Sequence, residues 1–140
     1  MAVNVKGPFL CPRAAASSLR RAGGAIVNVS SVAGMFATGA VAAVRVSKAA
    51  LTQLTRHARA RPRPRRPCHG VAPGVVESPC FGHLVGDERA KDIYEAAKAA
   101  TPLGRTLEPP DVSQIVLSLL AGDAVTYETL DIDGERAITY

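Results

Sequence analysis

The feature that most constrains the fold is a short apolar segment, residues 25–29, which is rich in β-branched side chains and bounded by glycine and serine. Such a run is typical of a strand that is buried on both faces of a sheet. Long segments with helical character lie on either side of it, at residues 3–21 and 40–59. A buried strand between two helices predicts a parallel sheet, because parallel strands need a crossover connection, usually a helix.

The rest of the chain continues this alternation. Two further strands are predicted at residues 68–72 and 128–132, and two further helices at residues 87–100 and 110–120. Alternation of this kind predicts an α/β fold in which a parallel sheet carries helices on both faces. The 140 residues are expected to form one domain.

Composition argues against several other classes of protein. Apolar residues make up 47% of the chain, so the sequence is predicted to fold rather than to stay disordered. It has no apolar run of about 18 residues and no charged segment followed by an apolar signal core, which favours a cytoplasmic protein without a membrane span. The three cysteines are an odd number for such a chain, so free thiols are favoured over disulfides.

Two segments of the chain, each considered alone, suggest a binding site, one for a metal ion and the other for nucleic acid. Cys68, His69, Cys80 and His83 are zinc-binding residue types, but the first two are adjacent, which suits tetrahedral geometry poorly, so no metal is predicted. The net charge of +5 is concentrated in residues 56–66, where six arginines occur without an acidic residue. This segment lacks interleaved aromatic side chains, so nucleic acid is not a predicted partner.

Three polar residues stand at a distinctive spacing. Asn4 opens the first predicted helix, Ser31 follows the strand at residues 25–29, and Lys48 lies on the second helix. Asn4 and Ser31 are 27 residues apart, and position 44 lies 13 residues after Ser31 and four before Lys48. Taken singly, each residue has an ordinary explanation as a helix cap, a loop serine or a solvated lysine. Their joint spacing favours a common site.

This arrangement resembles the short-chain dehydrogenase/reductase family, in which an Asn, a Ser and a Tyr-x-x-x-Lys motif form the catalytic group at about these spacings. The turn Pro73-Gly74 and the segments at residues 102–105, 108–112 and 130–134 also resemble the family. The resemblance covers nearly the whole chain. It implies the C-terminal portion of a Rossmann-like, doubly wound parallel sheet.

The resemblance also implies an NAD(P)-dependent oxidoreductase that acts on a small alcohol or carbonyl. Ser31 would hold the substrate oxygen, Asn4 would organise a water-linked proton route, and Lys48 would lower the pKa of a tyrosine one turn away. Asn4, Ser31 and Lys48 are therefore the candidate catalytic residues. The candidate residues for binding NAD or NADP are Lys48, Pro73, Gly74, Val76 and Ser78.

Two departures from the family pattern bear on activity. Val44 stands where the family has its tyrosine, and valine has no proton to give. No Gly-x-x-x-Gly-x-Gly segment occurs, so the N-terminal nucleotide-binding half is expected to be absent. The sequence therefore predicts a truncated and inactive oxidoreductase that forms a homo-oligomer through its two long helices. The alternative is a non-catalytic remnant of the fold that serves in binding or oligomerisation.

A second Tyr-x-x-x-Lys motif occurs at Tyr94 and Lys98. The residue 13 positions before Tyr94 is Phe81 rather than serine, and no suitable strand precedes it. We therefore interpret Tyr94 and Lys98 as an exposed pair on a helix and predict no role for them in the site.

Overall fold

The computed structural model of the chain describes residues 1–36, 41–57, 68–122, 125 and 127–134. Within them, three strands form one parallel sheet in the order β1-β2-β3: β1 (Ile26–Val29), β2 (Cys68–Pro73) and β3 (Thr129–Ile132). The α-helices of the described residues are α1 (Gly7–Ala22), α2 (Ala42–His57), α3 (Pro79–Val85), α4 (Asp87–Ala100) and α5 (Pro109–Ala121). One turn of π-helix, Ala2–Lys6, leads into α1, and a 3-10 turn, Val32–Gly34, follows β1.

The central strand β2 is buried along its whole length. On one face, Asn28 of β1 donates a hydrogen bond from Nδ2 to Thr55 Oγ1 of α2 at 2.9 Å and lies 3.8 Å from Cys68 Sγ. Because side chains alternate along a strand, His69 and Val71 point to the opposite face, and both are essentially inaccessible to solvent. The helix α5 also packs against β1 and β2. Helices therefore cover both faces of the sheet, which confirms the predicted α/β fold.

The predicted elements agree with the observed ones to within a few residues at each end. The helix predicted over residues 3–21 continues through Pro12, the sixth residue of α1. A proline at this position removes one backbone hydrogen bond, and the helix nevertheless extends to Ala22. The prediction missed α3, which has seven residues and contains both a proline and a glycine, a composition typical of a loop. The arginine-rich segment from residue 58 to 66 lies outside the described residues.

No helix of the described residues combines the length and the hydropathy that crossing a bilayer requires.

The 3-10 turn after β1 packs closely against α2 at a glycine. A Cβ atom on Gly34 would lie 2.6 Å from the backbone nitrogen of Ala49 and from the backbone carbon of Lys48. Side chains cannot approach a helix backbone this closely without moving it. Gly34 therefore sets the distance between the loop that carries Ser31 and the helix that carries Lys48.

We expect Gly34→Ala to lower the free energy of unfolding by about 1–3 kcal/mol, the usual cost of forcing extra atoms into a packed contact. Urea denaturation followed by circular dichroism measures this change. Gly7→Ala is the matched control, because the nearest atom to a Cβ there lies at 3.6 Å and the position is helical. The control should be neutral or stabilising by up to about 1 kcal/mol. Equal destabilisation by both substitutions would contradict the close-packing argument.

Asp111 fixes the N-terminus of α5. Its Oδ2 accepts a hydrogen bond from the backbone N–H of Glu108 at 2.8 Å, and its carboxylate accepts two more from the Arg105 guanidinium, at 2.7 and 3.0 Å. The hydrogen bond from Arg105, followed by the Glu108 amide, lowers the pKa of Asp111 to about 2.

A carboxyl whose pKa is lower in the folded chain stabilises it above the unfolded pKa, and this stabilisation is lost as the pH falls through the folded pKa. We therefore expect Asp111→Asn to destabilise the chain at neutral pH, and the difference from the parent protein to shrink between about pH 5 and about pH 3. Urea midpoints of both proteins across this range measure it. A difference that does not change with pH would show that the charge of Asp111 is not responsible.

Candidate active site at the carboxyl edge of the sheet

The carboxyl ends of β1 and β2 lie side by side because the two strands are parallel neighbours. Ser31 follows β1, and its hydroxyl donates a hydrogen bond to the backbone carbonyl of Pro73, the last residue of β2, at 3.4 Å. The same hydroxyl accepts a hydrogen bond from Ala33 N at 3.2 Å and so caps the 3-10 turn. The structure thus brings two candidate residues together and also gives Ser31 the ordinary capping role.

Lys48 lies on α2 at the same edge. Its Nζ donates a hydrogen bond to the carbonyl of Val29, the last residue of β1, at 2.8 Å. The ammonium group is half-buried, and this burial lowers the pKa of Lys48. Lys48 therefore places a positive charge beside the end of β1, in the region where ligands bind in open α/β sheets.

Ser30 was not among the predicted site residues, yet it fixes Lys48 in place. Its hydroxyl donates to the backbone carbonyl of Lys48 at 2.9 Å and lies 2.8 Å from the hydroxyl of Thr52. Ser30 is buried, whereas its neighbour Ser31 is only partly buried. Side chains of successive residues in an extended chain point to opposite sides, which explains why Ser30 is more buried than Ser31. This alternation is the only sequence signal that distinguishes the two serines.

Asn4 contacts α2 one residue before Lys48. Its Nδ2 donates to the hydroxyl of Ser47 at 3.1 Å, and Ser47 donates in turn to the backbone carbonyl of Val44 at 2.9 Å. Ser47 is buried, and its side chain links the first helical turn of the chain to the start of α2. Sequence reasoning missed Ser47, because a serine within a helix carries no signal of a partner 43 residues away.

Val44 occupies the position of the expected tyrosine. It lies one turn before Lys48 on α2, so the two side chains project from the same face of the helix. Its side chain is 43% exposed, so the position is open to a ligand. Asn4 contacts α2 at Ser47, three residues after Val44, while Ser31 and Lys48 are hydrogen-bonded to the last residues of β2 and β1. Among the described residues, no hydrogen bond joins Ser31 to Lys48 directly.

The segment after β2 carries the other candidates for cofactor binding. Gly74 donates a hydrogen bond from its backbone to the carbonyl of Ile132 at 2.8 Å, and a Cβ there would lie 3.0 Å from Asp133 Cβ. Val76 forms a single parallel bridge with Leu107. Ser78 is the N-cap residue of α3, and its side chain makes no capping hydrogen bond.

The prediction that Tyr94 and Lys98 form an exposed pair is wrong. Both residues are half-buried. Both also contact residues 74–78, which follow β2 and are called here the candidate cofactor segment: Tyr94 is hydrogen-bonded to Ser78, and Lys98 forms an ion pair with Glu77. The error follows from missing α3, because this short helix turns the chain after Ser78 so that the segment runs beside α4. The described residues include no group of three His, Cys, Asp or Glu side chains that could hold a metal ion.

Three comparisons with known proteins bear on this site. Residues 1–134 match the family model described as Enoyl-(Acyl carrier protein) reductase. The chain is 37% identical over 139 residues to 2-(S)-hydroxypropyl-CoM dehydrogenase 3 of Xanthobacter autotrophicus, covering 96% of this chain and 54% of that protein. It is 30% identical over 135 residues to the short-chain dehydrogenase/reductase homolog YusR of Bacillus subtilis, covering 96% of this chain and 100% of YusR.

The fold is also similar to that of solved structures. Aldohexose dehydrogenase (AldT) of Thermoplasma acidophilum, in ligand-free form, superposes with a TM-score of 0.84 at 25% identity, covering 98% of this chain and 57% of that one. The chain spans about half the length of both dehydrogenases and the whole length of YusR. The family model, the relatives and the fold confirm the resemblance drawn from the sequence: the chain belongs to the short-chain dehydrogenase/reductase family.

Proposed function

We propose that this chain carries the substrate-oxygen and nicotinamide end of an NAD(P)-dependent oxidoreductase site for small alcohols or carbonyls, and that Val44 leaves this site without a proton donor. The observation that carries the proposal is the position of Val44. It stands partly exposed on α2, one turn before Lys48, whose ammonium group contacts the end of β1. Asn4 contacts the same helix at Ser47, and Ser31 contacts the end of β2.

The described residues fit the nicotinamide end of such a cofactor. Gly74 is packed against Asp133, which fixes the turn after β2, and the Ser78 hydroxyl that follows this turn makes no capping bond and can bind a ligand. Lys48 offers a half-buried ammonium group suited to the hydroxyl groups of a ribose. When bound, the nicotinamide supplies or accepts the hydride. The chain's own contribution would be to orient the ring and the substrate oxygen.

Ser31 and Lys48 can bind a substrate oxygen, but they do not replace the missing acid. A carbonyl that accepts a hydride needs a proton from a donor about 2.6–3.2 Å from its oxygen. The Val44 side chain is a hydrocarbon. Lys48 donates one of its three N–H groups to the Val29 carbonyl at 2.8 Å, which holds the ammonium group at the end of β1. The proposed site therefore binds and orients, and it transfers hydride poorly.

We expect V44Y to supply the donor and to raise the rate of carbonyl reduction by about 10²–10⁴-fold, the usual contribution of a positioned acid. Because the chain spans about half of its relative's length, turnover is best measured in a chimera. In it, the part of 2-(S)-hydroxypropyl-CoM dehydrogenase 3 that lies outside the match precedes this chain. Oxidation of NADPH or NADH with small ketones is followed by absorbance.

V44F in the same chimera is the matched control, because it adds the aromatic ring without the hydroxyl. It should remain at the level of the parent chimera. Turnover by the parent chimera equal to that of V44Y would contradict the proposal, since the site would then have another donor.

The alternative role, oligomerisation, is favoured by one observation on α1. None of its 16 residues is buried, and it exposes two large apolar side chains, Phe9 and Leu10, each 43% accessible. Adjacent helix α2 also exposes Val46 at 55%. Exposed apolar residues on neighbouring helices are typical of an interface. We propose that α1 and α2 form a contact between copies of this chain, which would leave a structural role for it without catalysis.

We expect the parent chain to have a molar mass that is a multiple of 14.6 kDa at micromolar concentration, and Leu10→Glu to shift it to the monomer. A buried charge without a partner opposes association. Sedimentation velocity measures the mass. Ala22→Glu, at an exposed position of the same helix that is turned away from Phe9 and Leu10, should leave the oligomer intact. A monomeric parent chain would remove the proposed interface.

A further inference from the structure

Two side chains of α4 hold the last two residues of the candidate cofactor segment. We propose that Tyr94 and Lys98 are positioning residues, which fix the orientation of Ser78 and Glu77 so that the Ser78 hydroxyl faces the nicotinamide. This inference rests on the proposed function for its ligand. The positioning itself rests on contacts that exist without any ligand.

Tyr94 makes two hydrogen bonds to one residue. Its hydroxyl donates to the backbone carbonyl of Ser78 at 3.3 Å and accepts from the backbone N–H of Ser78 at 3.3 Å. Its ring packs against Phe81 of α3, with ring centroids 5.6 Å apart and planes inclined by 36°. Two bonds to the same backbone unit restrict its rotation as well as its position. The Ser78 side chain takes no part in them, so its hydroxyl stays free for a ligand.

Lys98 acts on the preceding residue. Its Nζ lies 3.5 Å from Glu77 Oε1 and 2.9 Å from Glu95 Oε1, and the hydroxyl of Thr106 donates a hydrogen bond to the same Glu77 oxygen. The bond from Thr106, followed by the charge of Lys98, lowers the pKa of Glu77, so its carboxylate stays ionised at neutral pH. Lys98 and Glu77 are each more than one-third exposed, so this ion pair contributes little to the free energy of folding. Its effect is to orient the Glu77 side chain toward α4.

The earlier part of the segment is anchored separately. Gly74 is hydrogen-bonded to Ile132 at 2.8 Å. The backbone of Leu107 bonds to the segment twice, accepting from Glu77 N at 2.8 Å and donating to Val75 O at 3.0 Å. These hydrogen bonds hold residues 74–77 against β3 and against the connection between α4 and α5. Beyond Glu77, the hydroxyl of Tyr94 is the side-chain group that holds the Ser78 backbone among the described residues.

The spacing of the two residues explains why both reach the segment. Tyr94 and Lys98 are four positions apart, so they lie on one face of α4, one turn from each other. The ion pair of Lys91 with Glu88 lies elsewhere on the helix and is exposed, with side-chain accessibilities of 70% and 93%. Lys91 therefore provides a control on the same helix that has no contact with the segment.

The experiment uses the full chain and two readouts. The first is the exchange rate of the Ser78 amide hydrogen in the absence of ligand, measured by NMR. Y94F keeps the ring and removes the hydroxyl, and we expect it to accelerate this exchange about five- to tenfold, the factor that corresponds to one ordinary hydrogen bond. The second is the dissociation constant for NADPH and for NADH, measured by nucleotide fluorescence in the chimera described under the proposed function, because the chain alone spans about half the length of its relative. We expect Y94F to raise it by a similar factor with little change in Tm.

Lys98 is tested in parallel with a conservative variant. K98M should weaken nucleotide binding, and K98R should restore most of it because the positive charge beside Glu77 returns. K91M should match the parent chain in both readouts. A loss of binding in K98M that K98R does not rescue, or an equal loss in K91M, would overturn the role of Lys98.

The outcomes separate the two proposals. Unchanged exchange at Ser78 in Y94F overturns the positioning role, whatever the nucleotide does. Faster exchange with an unchanged dissociation constant also overturns it, because Ser78 would then not be positioned for the cofactor. If the chimera with the parent sequence binds neither nucleotide, the proposed function fails, and the exchange rate alone decides whether Tyr94 holds Ser78.

Discussion

The burial of β2 on both faces is the constraint on which the rest of the structure depends. All six of its residues are buried, so both β1 and β3 must pair with it and helices must cover it from two sides. Parallel pairing then places the ends of β1 and β2 at one edge, where Ser31 meets Pro73. The candidate site is thus a consequence of the order of the strands, and the side chains of α2 complete it.

His69 shows how strict this burial is. Its side chain is 1% exposed, and neither ring nitrogen has a hydrogen-bond partner among the described residues. Burial lowers the pKa of His69, because a charged imidazolium would lose its hydration. The fold thus keeps this histidine neutral. Cys68 and His69 are both buried in β2, so their adjacency in the sequence is explained by the interior of a strand.

The elements that could be predicted from the sequence are those with a strong internal pattern. β1 is a short apolar run bounded by glycine and serine, and α2 and α4 are long segments of helical character, so their type and position follow from local physics. The helix α3 has seven residues with a proline and a glycine, and it forms because α4 packs against it. Local pattern carries no information on such a contact, and for this reason Tyr94 and Lys98 were also misread.

The residues of the candidate site likewise include some that a sequence pattern identifies and some that it does not. Asn4, Ser31 and Lys48 were found by their spacing, which reflects fixed lengths of strand and helix between them. Ser30 and Ser47 were not found, although each makes a hydrogen bond to another part of the chain that holds α2 in place. Their partners are 18 or more residues away in the chain, and only the tertiary structure brings them together.

The position of Val44 explains how the proposed loss of the acid would leave the fold of the family intact. The buried residues of α2 are Ser47, Leu51, Thr52 and Thr55, which form the face toward the sheet. Val44 lies outside this set and is 43% exposed. Since packing does not constrain the position, a change of side chain there has little effect on the stability of the helix. The requirement for a hydroxyl comes from the reaction alone, and only selection for that reaction would maintain it.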